Sequence, residues 1–222
     1  MTVLPEAIFF DFDGVILESV DVKTRAFAQL FESWGEEVRK AVVAYHLAHG
    51  GVSRYDKFRY YYKHLLGKPI TEEKVQELAQ AFEDLVYNGV LAAPFVPGAD
   101  DFLARHAASI SCFVVSGTPH EEINRIVDER GLRPYFAGVY GSPRSKGDWV
   151  AQLLREHNLT PARTLFVGDA PSDWRGATEN NVPFIGRVME GHPNPFQDYS
   201  CATLISDLRE LPAVIDDFDW HG

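Results

Sequence analysis

Residues 7–19 read AIFFDFDGVILES, and this stretch limits the possible folds more than any other. Four apolar residues, Ala7-Ile8-Phe9-Phe10, run without alternation into Asp11. A short unbroken apolar run is the pattern of a strand covered on both faces, as in a parallel sheet. Asp13 stands two residues beyond Asp11, and Gly14 follows it. Carboxylates buried without a partner cost several kcal/mol, so this strand end calls for a compensating cation. A hard divalent ion with oxygen ligands meets that need. An ordinary strand end followed by an Asp-Gly turn is the plainer alternative.

The pattern then turns helical. Residues 20–34 carry Val22, Ala26, Phe27, Leu30, Phe31 and Trp34 at helical spacing, and Gly35 ends the run. Further helices are expected over 36–48, over 54–66 with Ser53 as N-cap, and from Thr71 to about Val90. Residues 92–98, read AAPFVPG, form a Pro-rich hinge. Beyond it strands and helices alternate. Strands are expected at 110–115, 138–140, 164–167, 183–185 and 202–205, and helices at 99–107, 119–130, 146–157, 173–180 and 206–217. One strand, a helical insert and then alternating units predict an α/β fold: a doubly wound parallel sheet with a small all-helical cap inserted after the first strand. The expected division is a core of residues 1–18 and 93–222 and a cap of residues 19–92. The acidic tail 216–220 is expected to be a solvated end.

The net charge of −11 argues against nucleic acid or an anionic membrane as a partner. The two cysteines, Cys112 and Cys201, lie far apart in apolar runs and read as buried thiols of a reducing compartment. Without a signal-peptide pattern or an apolar run near the length of a bilayer span, the expected location is cytoplasmic.

In an open α/β sheet, ligands bind at the carboxyl ends of the strands. The first strand delivers Asp11 and Asp13 there. The second delivers Ser116-Gly117-Thr118 just before a helix, where a hydroxyl and free N–H groups make an anion site. After the third, Lys146 opens a helix, a position that opposes the helix dipole unless an anion is near. Arg144 could serve similarly or be solvated. The fourth, Leu165-Phe166-Val167-Gly168, ends in Asp169, with Asp173 four residues on. Ser116 and Asp173 would also serve as simple turn or capping residues.

DFDGVILES, VVSGTP, the Lys146 segment and LFVGDAPSD together resemble, in order and type, the four motifs of the haloacid dehalogenase superfamily. The resemblance covers essentially the whole chain. It implies that Asp11 is a nucleophile forming an aspartyl-phosphate and that Asp13 is the general acid and base. It implies Mg²⁺ held by Asp11, the backbone carbonyl of Asp13 and Asp169, with Asp173 orienting a ligating water or Lys146. Ser116, Gly117 and Lys146 would bind the phosphoryl oxygens.

The position of the insert resembles the helical caps of phosphoglycolate phosphatase and β-phosphoglucomutase, which close over small substrates. Asp13 argues against the dehalogenase and phosphonatase branches, which lack that carboxylate. Mutases typically carry a histidine ten residues after it, where this chain has Lys23. The resemblance therefore implies a phosphatase acting on a small phosphorylated metabolite, phosphoglycolate or a sugar phosphate. A mutase-like phosphotransferase and a ligand-binding protein with little turnover are the alternatives. Residues 50–54, read GGVSR, resemble the specificity loop of mutase-like caps, which makes Arg54 a candidate substrate contact. Lys57, Arg59 and Tyr60-Tyr61-Tyr62 on the next helix could line a pocket for a second anionic or polyhydroxyl group, but for most of them an ordinary amphipathic helix is expected. Motif one has Glu18-Ser19 where Asp-Ser or Asp-Thr is usual. A monomer or a homodimer is expected.

Overall fold

The computed structural model describes residues 4–218 and 220. Strands β1 (Ala7–Phe10), β2 (Ser111–Pro119), β3 (Gly138–Ser142), β4 (Thr164–Gly168), β5 (Phe184–Arg187) and β6 (Thr203–Ile205) form one parallel sheet in the order β3-β2-β1-β4-β5-β6. Helices α1 (Val20–Leu30), α2 (Glu36–Ala48), α3 (Arg54–Tyr60), α4 (Glu72–Ala92) and α5 (Ala99–His106) lie between β1 and β2. Helices α6 (His120–Glu129), α7 (Lys146–Glu156), α8 (Pro171–Thr178) and α9 (Leu211–Asp217) follow the later strands. This is the α/β sheet with a helical insertion that the sequence predicts.

The chain builds from β1 out to β3, then crosses back to lay β4 on the other edge of β1. That reversal opens a crevice at the carboxyl ends of β1 and β4. Phe10 is level with Val167, so Asp11 and Asp169 leave neighbouring strands almost side by side. The Asp11 N–H still donates to Val167 O at 3.0 Å, which holds the first acid in strand register.

Both faces of β1 are covered, as its unbroken apolar run requires. Ile8 and Phe10 share a core with residues of α5, α6 and α9. Ala7 and Phe9 share the opposite core with residues of α7 and α8. In the insertion, Phe27, Phe31, Phe58, Tyr61 and Phe82 are buried together, with ring centroids of Phe27 and Phe82 4.3 Å apart. The insertion leaves and re-enters through paired linkers. Glu18 N–H donates to Pro94 O at 2.9 Å, and Val96 N–H donates to Ile16 O at 3.0 Å.

Several boundaries differ from expectation. The helix expected over 20–34 ends at Leu30 and is followed by a short 3-10 turn, Glu32–Trp34. Beyond Tyr60 the helix opened by Ser53 widens into one π turn, Tyr61–Leu65. The last helix begins only at Leu211, with Pro212 in its first turn, where its missing N–H costs nothing. The tail is not wholly solvated. Trp220 is buried against Phe218, and its Nε1 donates to Ile215 O at 3.1 Å. Asp216 and Asp217 are exposed, and Asp219 lies outside the described residues. Cys112 is buried and Cys201 half-buried, both as free thiols. Among the described residues no helix is long and apolar enough to cross a membrane.

Candidate active site

Asp11 sits where β1 ends, and it is almost wholly buried. Its Oδ1 accepts from Phe12 N–H at 2.7 Å, and its Oδ2 lies 2.9 Å from Lys146 Nζ. Lys146 is the first residue of α7, behind Ser145, whose hydroxyl caps that helix. The cation thus stands at the positive end of a helix, and two acids hold it there. Asp173 is its second partner in a buried ion pair. Asp173 in turn reaches back from the third position of α8 to accept from Ala170 N–H at 3.0 Å. Burial alone would depress the Lys146 ammonium; Asp11 and Asp173 reverse that and hold it above the ordinary lysine range.

The carboxylate of Asp13 faces different partners. Ser19 Oγ donates to its Oδ1 at 2.5 Å, and Lys23 forms an ion pair with its Oδ2. Thr118 joins them, accepting from Lys23 Nζ at 2.7 Å and donating to Asp13 Oδ2 at 3.0 Å. Burial raises the Asp13 carboxyl, but the Lys23 charge and these hydrogen bonds outweigh it, so Asp13 lies below the ordinary carboxylate range. Ser116 is buried within β2, which runs on past the expected strand end, and its Oγ accepts from Thr118 N–H at 3.1 Å.

One carboxylate oxygen from each of Asp11, Asp169 and Asp173 lies within 4.8 Å of the others. Burial drives Asp169 well above the carboxylate range, and the charges of Asp11 and Asp173 add to the rise. Burial raises Asp173 to about 7 despite Lys146. Burial also raises Asp11, with Lys146 opposing and Asp13 adding to it. Lys146 therefore does not neutralise the cluster. Three clustered hard oxygen donors with one ammonium between them fit a divalent cation of the Mg²⁺ kind. Gly14 keeps the approach to Asp169 open, because a Cβ at this positive-φ position would collide with Asp169 Oδ2.

The loop between α2 and α3 closes over this crevice. Ser172 Oγ donates to Gly50 O at 2.9 Å, and a Cβ on Gly117 would strike Gly51 O. Beneath the insertion lies a cavity of about 590 Å³, lined at its core end by Asp13, Gly117, Thr118 and Asp169. Arg54 lines the cap side, but its guanidinium is committed to Glu122 on α6 at 2.7 Å and covers the Phe82 ring. Lys57, for which both a pocket and an ordinary helix are open from the sequence, is buried in the cavity wall. Arg144 bonds Gln152 and stacks on Trp149 at the surface, away from the acids.

The structure therefore brings Asp11, Lys146, Asp169 and Asp173 into one cluster, with Asp13, Ser116 and Gly117 around the same crevice. Such an acid-rich crevice lies at the carboxyl ends of a doubly wound sheet beneath a helical insertion, where open α/β sheets place their ligand sites. The chain belongs to the haloacid dehalogenase-like hydrolases, whose family pattern matches residues 5–180. It is 25% identical to a phosphoglycolate phosphatase of Pseudomonas fluorescens, over 96% of this chain and 81% of that protein. It is likewise 25% identical to phosphoglycolate phosphatase 1 of Pseudomonas aeruginosa, over 97% of this chain and 81% of the relative. A predicted phosphatase from Clostridium acetobutylicum shares the fold, with a TM-score of 0.77 at 18% identity, covering 97% of this chain and all 100% of that one.

Sequence reasoning did not reach Thr118 as the partner of Asp13, or Arg187, which lies on β5 and bonds Gly14 O and Glu18. The departure at Lys23 was the available signal for the first. Nothing local marks the second.

Proposed function

We propose that this hydrolase is a magnesium-dependent phosphatase that cleaves a small phosphomonoester, phosphoglycolate or a related sugar phosphate, through an aspartyl-phosphate on Asp11. The observation that carries the reading is the buried Asp11 carboxylate, 2.9 Å from Lys146 and inside the three-acid cluster. The core of residues 1–18 and 93–222 supplies this chemistry, and the cap of residues 19–92 supplies the substrate pocket. The two Pseudomonas relatives bear the name phosphoglycolate phosphatase and match nearly the full chain.

Mg²⁺, when bound, would offset the acids' charge and polarise the phosphoryl group. Asp11, Asp169, Asp173 and the backbone carbonyl of Asp13 are the groups that would hold it. The chain's own residues do the rest. Lys146, the Ser116 hydroxyl and the Gly117 N–H bind the phosphoryl oxygens and aim phosphorus at the Asp11 carboxylate. Asp11 attacks, the ester P–O bond breaks, and Asp13, which takes up a proton as the anionic ester binds, gives that proton to the leaving alkoxide. Asp13, now a carboxylate, takes a proton from water. That water attacks phosphorus, and the bond to Asp11 breaks to release phosphate. Lys23 and Thr118 favour the carboxylate form of Asp13, which is the form the second step uses. The cap loop keeps bulk water from the intermediate.

The test is phosphate release from a panel of small phosphoesters with Mg²⁺, with EDTA, and with Asp11→Asn. Magnesium-dependent release that Asp11→Asn abolishes is the expected result. No release from any ester, or transfer of the phosphoryl group to a second sugar hydroxyl instead of water, would overturn the reading.

A further inference from the structure

Cavity-lining cations are easily matched to their counter-charges. Lys23 pairs with Asp13, Arg54 with Glu122 and Arg187 with Glu18. Below the cavity, Lys146 pairs with Asp11 and Asp173. Among the described residues that line the cavity, Lys57 is the one lysine or arginine without a carboxylate within salt-bridge distance. It is 2% exposed, so water does not serve in place of a carboxylate. Its Nζ donates to His46 Nδ1 at 2.8 Å, and it lies 5.5 Å from the Phe27 ring centroid.

His46 lines the same cavity and is also buried, and its Nε2 has no hydrogen-bond partner among the described residues. Accepting from Lys57 at Nδ1 leaves the ring proton on Nε2. A buried ammonium is stable only with a paired anion, and a neutral imidazole acceptor is not one. The chain leaves that place empty in a cavity whose other end holds Asp13, Gly117 and Thr118.

We propose that Lys57, backed by His46, binds a second anionic group on the substrate and selects phosphomonoesters whose alcohol part carries one. This rests on the phosphatase reading above. A phosphoryl group at Asp11 directs its alcohol part into the cavity, and a carboxylate or second phosphate there supplies the charge that Lys57 lacks. Arg54, already neutralised by Glu122, does not select the anion; it ties α3 to α6.

The experiment compares wild type and Lys57→Met, with Mg²⁺, on 2-phosphoglycolate, ethanediol bisphosphate and 2-hydroxyethyl phosphate. Wild type should prefer one of the anionic esters over the neutral one by about 10-fold or more in kcat/KM, as a charge-assisted contact implies. The preferred ester identifies carboxylate or phosphate. Lys57→Met should lose the preference through KM while cleaving the neutral ester as well as wild type. Lys57→Gln, which still donates a hydrogen bond, should behave the same and guards against a folding defect in the first variant. An equal preference in the variants, or none in wild type, overturns the assignment. Cleavage of no ester is a failure of the phosphatase reading instead. Lys57 is then judged by the melting shift that glycolate or phosphate gives to wild type but not to either variant. An equal shift in all three proteins overturns the proposal.

Discussion

Arg187 and Glu18 form a two-pronged ion pair between β5 and the first cap linker, at 2.6 Å from Nη2 to Oε1 and 3.0 Å from Nη1 to Oε2. The same guanidinium donates to Gly14 O at 3.0 Å and to Ser206 O at 3.0 Å. One buried side chain thus fixes the turn after Asp11 and Asp13 and the start of the hinge. Removing one partner leaves the other charge uncompensated. Arg187→Met should lower unfolding stability by about 3 kcal/mol, and Glu18→Gln by less because Glu18 is partly solvated. Glu18→Asp, one methylene shorter, should break the double contact. Urea unfolding of both singles and the double variant would show the pair's coupling; additive effects would mean that none exists.

The acid cluster makes a prediction about stability without metal. Folding raises the Asp169 carboxyl, so its ionised form costs folded stability at every pH above the ordinary carboxylate value. Asp169→Asn removes that cost. In EDTA at neutral pH the variant should melt above wild type, while Mg²⁺ should stabilise wild type and leave the variant nearly unmoved. Scanning calorimetry with and without the ion would decide it.

Lys57 makes a prediction about pH. Burial, then the charge of Lys23, lowers its ammonium to about 7, with Lys146 lowering it further and Asp13 and Asp169 opposing. Its neighbour His46 is pushed down to about 2, first by burial and then by Lys57, so His46 stays neutral. Between about 7 and the ordinary lysine value of 10.5, the unfolded chain binds a proton that the folded chain does not. Stability contributed by this site therefore rises with pH across that window and is least below 7. Lys57→Met should flatten that rise in a pH series of melting temperatures. A slope unchanged by the substitution would assign the titration elsewhere.

Gly117 bears on closure. A Cβ there would strike Gly51 O while the loop lies over the crevice. Gly117→Ala should keep the wild-type melting temperature within about 3 °C, since the clash is relieved by lifting the loop. Its kcat/KM for the best ester should fall about 100-fold, because an open loop admits water and misplaces the phosphoryl group. Activity within twofold of wild type would show that closure is not needed for turnover.

What the sequence made legible follows from range. Asp11 and Asp169 stand directly after apolar runs, and a strand end in a parallel sheet has one place to put them. Lys146 was recognisable from its order behind the other motifs, because a lysine at a helix start carries little local signal. The pairs that shape the pocket were hidden. Lys23 meets Thr118, Arg54 meets Glu122, and Arg187 meets Glu18 across large sequence separations, and no periodicity encodes those encounters. The helical pattern around Lys57 leaves both a pocket and an ordinary amphipathic helix open, because the same helix carries buried Lys57 and exposed Arg59. Trp220 was read as solvated because acids surround it in the chain, yet a single indole found the carbonyl of Ile215.

The paired linkers carry a consequence for modularity. Because Ile16 to Glu18 and Pro94 to Val96 bond to one another, the chain enters and leaves the insertion at neighbouring points on the crevice rim. A tight turn could bridge that gap and leave the sheet with its acids and without a roof. Equally, a helical bundle from a relative could be grafted there with two junctions and no change to any strand. On the proposed reading, selectivity is a transplantable part, and the chemistry beneath it is the fixed stock on which such grafts are made.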